Sequence, residues 1–397
     1  MKLAARVNRI KPSPTVAMAA KAMAMQASGI EVVSLAQGEP DFDTPDNIKE
    51  AAYRAIQKGY TKYTPPAGYD DLKDAIIQKF KRDNHLTYDR SQIIVSAGAK
   101  VILYNLAQAL IEAGDEVIVP SPYWVSYTDI VLLADGTPVV VPTTEQEGFK
   151  ITPAKLKTAI TPRTKAFMIN TPCNPTGATY TPEELKALAE VLAGKNILII
   201  ADDIYENFVY DGISAMSIAS LGKEVQDQTI IINGVSKTYA MTGWRIGYAA
   251  GPKDLIAALT KIQTQNVTNA TAFCQKASVE ALIGPQDEVQ KMVVEFDRRR
   301  RYIVDRLNRM SGITCSMPPG AFYVFPNISG LFGKKWQGKT LTNSIEVTNF
   351  ILEEAKVALV AGIGFGDDRY MRLSYATSMK NIETGMNRLE EALKKLQ

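Results

Sequence analysis

Lys237 stands just past an apolar run, Thr229 to Ile232, where the chain passes into small, polar and cationic residues: Ser236-Lys237-Thr238-Tyr239-Ala240-Met241-Thr242-Gly243-Trp244-Arg245-Ile246-Gly247. If the run is a buried strand, the lysine lies at the mouth of a sheet. Partial desolvation there lowers an ammonium pKa and frees the amine as a nucleophile or proton carrier. A lone lysine in a loop is more often simply solvated. Arg245, eight positions on, supplies a second cation for the same anionic ligand.

Open α/β sheets bind ligands beyond the carboxyl ends of their strands, so the residues after each apolar run decide between these readings. Ile93-Val95 leads into Ser96-Ala97-Gly98-Ala99-Lys100 and then a helix, which aims backbone N–H groups at an anion, although a glycine there is also an ordinary turn residue. Ala166-Ile169 ends in Asn170-Thr171-Pro172-Cys173-Asn174-Pro175-Thr176-Gly177, whose two X-Pro bonds restrict the loop around the Asn174 amide. Ile197-Ile200 ends in Ala201-Asp202-Asp203-Ile204-Tyr205. As structure alone, Asp202 is a helix cap and Tyr205 a core aromatic. As chemistry, the strand ends offer an amide, an acid, a phenol, a lysine and an arginine around one crevice.

The elements that must position these groups follow from hydrophobic period. Seven short apolar runs, at Ile93-Val95, Val117-Val119, Val139-Val141, Ala166-Ile169, Ile197-Ile200, Ile230-Ile232 and Ile246-Ala249, are largely unalternated, as strands buried on both faces are. Helical segments at Lys100 to Ala113, Trp124 to Ala134, Pro182 to Leu192 and Asp254 to Gln263 separate many of them. The predicted fold is α/β: a large domain with a mainly parallel seven-stranded sheet flanked by helices, plus a smaller α+β domain. Past Gly284-Pro285 the pattern changes to a charged helix through Arg309, short strands near Tyr323-Phe325, Ala358-Val360 and Tyr370-Ser374, and a last helix from about Lys380. The expected division is 1–45, an N-terminal arm with part of the small domain; 46–290, the large domain; and 291–397, the small one. Ser13-Pro14 opens an Ala/Met-rich helix in the arm that Gly29 closes.

Composition excludes several function classes. With 45 basic against 42 acidic residues, the net charge of +3 gives no electrostatic footprint for nucleic acid, and Arg298-Arg299-Arg300-Arg301, between Asp297 and Asp305, reads as a charged helix face. No nucleic-acid partner is expected. Cys173, Cys274 and Cys315 are scattered without a C-x-x-C, which suggests a reducing, cytoplasmic setting and no zinc site, and the only histidine, His85, lies in a polar stretch that reads as an exposed helix end. No metal site and no membrane span is expected. Lys2, Arg6, Arg9, Lys11 and Lys21, with no acid in the first thirty residues, resemble a transit peptide less than an ordinary arm.

The ordered set Gln37-Gly38-Glu39-Pro40-Asp41, Asn174-Pro175-Thr176-Gly177, Asp202 with Tyr205, Ser236-Lys237 with Arg245, and Arg372-Leu373-Ser374-Tyr375 resembles the class I pyridoxal-phosphate aminotransferases of fold type I over nearly the whole chain. The wording of Ser236 to Tyr248 and of Tyr123-Trp124-Val125-Ser126-Tyr127 is most similar to the bacterial-type aspartate aminotransferase group. The resemblance implies pyridoxal 5'-phosphate as cofactor. Lys237 would form its Schiff base and shuttle the substrate's proton, Asp202 would pair with the pyridine nitrogen, and Tyr205 and Asn174 would bond the phenolate oxygen. Trp124 would cover the ring face. Arg245, Ser236 and the Gly98-Ala99-Lys100 turn would hold the phosphate, with Tyr63 reaching it from the other subunit of a homodimer. Arg372 would grip the substrate α-carboxylate, with Gly38, Trp124 and Asn174 beside it and Lys100 taking a distal carboxylate; Lys11 or Thr15 of the arm would assist. Two departures stand out: Asp203 occupies a position where many relatives have glutamate, and Ala361-Gly362-Ile363-Gly364-Phe365-Gly366 replaces a Pro-Gly turn and reads as a loop at the substrate entrance.

The implied activity is ping-pong transfer of an amino group from aspartate or glutamate to 2-oxoglutarate or oxaloacetate, with aromatic-amino-acid or prephenate transamination as the alternative within the family. β-Elimination and cyclopropane-forming synthases share the same groups. Two other classes fit less well: an effector-binding regulator would show a helix-turn-helix pattern ahead of the large unit, and a nicotinamide dehydrogenase a G-x-G-x-x-G after its first strand.

Overall fold

Isoleucine- and valine-rich runs with no polar alternation have to be covered on both faces, and in the computed structural model, which describes residues 1, 3–12 and 14–397, they form one seven-stranded sheet. In spatial order its strands are Ile93–Ser96, Gly247–Ala250, Thr229–Gly234, Leu198–Asp202, Thr164–Asn170, Glu116–Ser121 and Thr137–Pro142. All neighbours are parallel except Gly247–Ala250, which runs against both Ile93–Ser96 and Thr229–Gly234. Thr229–Gly234 is buried along its whole length, whereas the edge strand Thr137–Pro142 is partly uncovered and carries Pro138 and Pro142, which donate no N–H to a ladder.

Register matters more for function than length. Asn170 pairs with Asp202, and Asp202 with Ile232, so three successive strands deliver Asn170, Asp202 and the Gly234-to-Lys237 segment to one edge of the sheet. Apolar faces of the helices Ala99–Leu110, Ser126–Leu133 and Lys253–Gln263 pack through Leu103, Leu106, Val131 and Leu259 against one side. Leu156, Leu185 and Leu188 cover part of the other. The helix Pro182–Leu192 begins where its sequence says it must: Glu184 Oε2 accepts from the Thr181 N–H at 2.8 Å and Thr181 Oγ1 accepts from the Glu184 N–H at 3.3 Å, a complete capping box.

A second, antiparallel sheet is built from Tyr323–Val324, Met371–Ser374 and Val360–Ala361, with the helix Ser344–Ala355 beside it and the helix Met379–Leu393 packed on that helix. Val33–Ser34, near the start of the chain, pairs in parallel with Val357–Ala358. The apolar segment read as one strand, Ala358-Val360, is thus two short ones serving different sheets. Helix Ala272–Ile283 and the hairpin Lys335–Trp336/Lys339–Thr340 carry no clear pattern in the sequence. The helix is buried on several faces, through Ala272, Cys274, Gln275, Ala277, Ser278 and Ala281, which erases the amphipathic period that would announce it.

The four arginines from 298 to 301 lie on one helix, with Arg298 and Arg301 exposed and the two between them buried. In the helix Asp287–Asn308, Arg299 and Arg300 are buried; Arg299 pairs with Asp41 and Glu295, and Arg300 with Asp211 and Asp297, while Arg301 bridges the same two aspartates. Arg299, Arg300 and Arg301 tie the helix to Asp41 and Asp211, outside it, while Arg298 pairs with Glu295 of the same helix. His85 is an exposed helix C-cap at φ 56. The three cysteines are free and buried. Helix Pro14–Ala27 buries only Met18 and Ala22; Ser13, the expected start signal, and Lys2 lie outside the described residues. Among the described residues no helix is long and apolar enough to cross a membrane.

Candidate active site

A cavity of about 290 Å³ opens where the register gathers the strand ends. Gly38, Ala99, Lys100, Trp124, Asn174, Asp202, Tyr205, Ser236, Lys237, Arg245 and Arg372 all line it, and Gly98 caps the helix whose first residues form one wall. Tyr63 does not reach it from its own chain and is 88% exposed. Thr15 lines the cavity from the N-terminal helix, whereas Lys11 is exposed and outside it. Ala361–Gly366 is not a free loop: Gly362–Phe365 is a 3-10 turn whose Gly364 abuts Pro14 and whose Phe365 ring lies 4.9 Å from the Arg372 guanidinium carbon.

The electrostatics are those of an anion-binding pocket around one buried acid. Lys237 Nζ donates to the Gly38 carbonyl at 2.5 Å. Burial pushes its pKa down to about 8, helped by Arg372 and Arg245 and opposed by Glu39 and Asp202. Asp202, wholly buried, is pushed up to about 6 by desolvation, against the Tyr127 hydroxyl, which donates to Oδ2 at 2.5 Å, and the Ile204 N–H, 3.4 Å from Oδ1. At neutral pH it is therefore still mainly a carboxylate. The Tyr205 hydroxyl is 2.8 Å from that of Tyr323, and burial holds both phenols protonated.

Arg372 is buried and has no acid partner among the described residues: Nη1 donates to Asn174 Oδ1 at 2.9 Å, Nη2 to the Ala36 carbonyl at 2.6 Å, and Nε has no partner. Desolvation lowers its pKa, yet a guanidinium stays charged. A buried, uncompensated cation with an unpaired N–H marks a place where an anion belongs. Lys100 lies with Nζ 4.7 Å from the Trp124 ring centroid, and burial of its amine and the nearby Arg245 lower its pKa.

The second anion position is the start of helix Ala99–Leu110, where no side chain caps the first N–H groups. Gly98 is at φ 96, ψ 154, a conformation essentially restricted to glycine, and a Cβ there would lie 2.4 Å from Arg245 Nη2. Arg245 itself is left-handed at φ 56, ψ 53, at a cost to a non-glycine residue of about 1 kcal/mol, with Nη1 on the Thr242 carbonyl at 2.9 Å. Backbone strain, a bare helix end and a cation thus meet at one spot.

Asn170, Tyr127 and Tyr323 also line the cavity, and sequence reasoning passed over them. Asn170 ties two strand ends together, donating from Nδ2 to the Asp202 carbonyl at 2.7 Å and accepting the Asn174 N–H on Oδ1 at 2.9 Å. The one signal for Tyr127 is its place a helical turn after Trp124, against whose ring it packs edge-on at 5.4 Å. Tyr323 carries no such signal.

Comparison with known proteins gives a consistent picture. A family model described as aminotransferase class I and II matches residues 30–389. An aspartate aminotransferase of Geobacillus stearothermophilus is 50% identical over 392 residues, 98% of each chain. A probable aspartate/prephenate aminotransferase of Rickettsia bellii is 47% identical over 392 residues, again 98% of each chain. The crystal structure of the aspartate aminotransferase from Rhizobium meliloti superposes with a TM-score of 0.96 at 43% identity, covering 100% of both chains.

Proposed function

Since this chain belongs to the class I and II aminotransferases, which are pyridoxal-phosphate-dependent enzymes acting on small amino and 2-oxo acids, we propose that it transfers the amino group of aspartate or glutamate to 2-oxoglutarate or oxaloacetate in a ping-pong cycle. The observation that carries this reading is Arg372, a buried guanidinium with no counter-ion of its own, facing the same cavity as the Lys237 amine. A carboxylate seated on Arg372 would share the cavity with that amine. Lys100, which lines the same cavity, is the candidate for the second carboxylate.

The donor set fits the cofactor. The uncapped helix start after Gly98, with Arg245 and Ser236, suits a phosphate, and Asp202 suits a protonated ring nitrogen. Tyr205 and Asn174 suit its ring oxygen, and Trp124 its face. When bound, the cofactor supplies the electron sink for the pair released as the substrate Cα–H bond breaks. Lys237 would hold the cofactor's aldehyde carbon and then, displaced by substrate, carry the proton between substrate Cα and cofactor C4′; burial, by lowering its pKa, favours the free amine that both tasks use. Asp202, kept ionised by Tyr127 despite its burial, would hold the proton on the ring nitrogen. Asn174 would orient Arg372, to which it already bonds.

A homodimer with Tyr63 lent across the interface belongs to this proposal, supported by the exposure of Tyr63. So does a cytoplasmic setting, which the three free cysteines fit. The test is an absorption spectrum of the cofactor-loaded protein. A visible band should shift to the near ultraviolet with aspartate and return with 2-oxoglutarate, and Lys237→Ala should show neither change; a band indifferent to every amino acid would sink the proposal. Lys100→Ala should lower kcat/KM for aspartate about tenfold or more relative to alanine, a lost charged contact of roughly 1.4 kcal/mol. An unchanged ratio removes Lys100 from that role. Because relatives include enzymes named for prephenate as well as aspartate, the acceptor panel should include prephenate.

A further inference from the structure

We propose that Tyr323 is a positioning residue that couples the Arg372 guanidinium to the Tyr205 phenol, so that charge bound at Arg372 is read at the cofactor's ring oxygen; this rests on the reading above of Arg372 and Tyr205. Backbone register fixes the arrangement, because Tyr323 pairs with Ser374 and Val324 with Leu373 on the strand that carries Arg372. The Tyr323 ring centroid is 4.6 Å from the Arg372 guanidinium carbon, and its hydroxyl is 2.8 Å from that of Tyr205. Gly38 closes the third side: a Cβ there would come within 2.3 Å of the Tyr323 hydroxyl, and the Gly38 carbonyl takes the Lys237 amine.

Of two buried hydroxyls sharing one contact, one must donate. A guanidinium against a phenol's π face withdraws electron density and makes that O–H the better donor. Arg372 stands in this position for Tyr323, where its charge opposes the rise that burial causes; Glu39 acts the other way. Tyr205 is held well above the usual phenol range, first by burial and then by Tyr323, with Arg372 opposing and Asp202 adding to the rise. Tyr323 therefore donates, leaving the Tyr205 proton for an acceptor in the cavity. A donor on the Tyr205 oxygen strengthens the bond that Tyr205 gives. This stabilises negative charge on the ring oxygen and lowers the pH at which the loaded site takes up its proton. A carboxylate on Arg372 neutralises the cation at the Tyr323 ring and reverses part of that effect.

The test is a pH titration of the visible band of the cofactor-loaded enzyme, with and without maleate as an unreactive dicarboxylate, in the parent, Tyr323→Phe, Tyr205→Phe and the double variant. Phenylalanine keeps the ring packed on Arg372 and removes only the hydroxyl. Tyr323→Phe should raise the midpoint by about half a pH unit or more, roughly threefold in proton affinity. It should shrink the further rise caused by maleate, and it should change nothing once Tyr205 is already phenylalanine, because it acts through Tyr205. An unchanged midpoint, or an equal shift in the Tyr205→Phe background, overturns the proposal. A parent enzyme without a visible band on adding cofactor overturns the reading beneath it, and this inference with it.

Discussion

Asp203 does not line the cavity that its neighbour Asp202 lines, and both of its carboxylate oxygens are buried without a hydrogen-bond partner among the described residues. Desolvation, reinforced by Glu206, pushes its pKa up to about 8 from an ordinary value of 3.8. The folded state therefore binds a proton that the unfolded chain has released between about pH 4 and pH 8, and stability falls as pH rises through that window, levelling above it. Asp203→Asn removes the titration. Its advantage over the parent in urea unfolding should grow from pH 5 to pH 8 by on the order of 1 kcal/mol per pH unit at most, whereas a gap independent of pH would refute the assignment. At this scale the sequence was readable wherever a chemical group ends a strand, as Asp202 does, or follows an apolar run closely, as Asn174 and Lys237 do. It was silent on Tyr323, because the contact that gives that residue meaning joins positions 118 apart in the chain.

Elements follow the same division between local and long-range causes. The strands were visible because burial on both faces selects unbroken β-branched runs, and the helix Pro182–Leu192 because its capping box is written in four consecutive residues. Helix Ala272–Ile283 was not, since its surroundings rather than its own period dictate which residues it carries. The start of helix Ala99–Leu110 lies between these cases: a glycine after a strand is common, and only the fold shows that Gly98 must be glycine both for its dihedral angles and for the approach of Arg245. Gly98→Ala should therefore cost about 1–2 kcal/mol of stability and weaken cofactor binding about tenfold or more, measured by thermal unfolding and by absorbance titration of the apoprotein. Parent-like affinity would mean that the anion is held elsewhere.

For the whole molecule, the question is whether one chain makes a complete site. The cavity gathers its groups from both ends of the sequence, from Thr15 to Arg372, yet Tyr63 stands away from it, with Tyr53 and Ile56 of the same stretch of chain also uncovered, at 62% and 45% exposure. Exposed aromatic surface of this kind fits an isologous interface, in which each protomer presents the same patch to its partner. Under the proposed arrangement every site then combines Lys237 of one protomer with Tyr63 of the other. Lys237→Ala removes the amine and Tyr63→Ala weakens the phosphate's hold, so each homodimer alone should be impaired. Dissociated and reassembled together at equal amounts, about half of the dimers are hybrids, each holding one site with neither substitution, and activity should return to roughly a quarter of the parent's at low cofactor concentration. If Tyr63 serves its own chain, the hybrid has no intact site, because one site lacks the lysine and the other the tyrosine. The mixture would then show only the average of the two variants, a result that places Tyr63 and Lys237 in the same protomer's site.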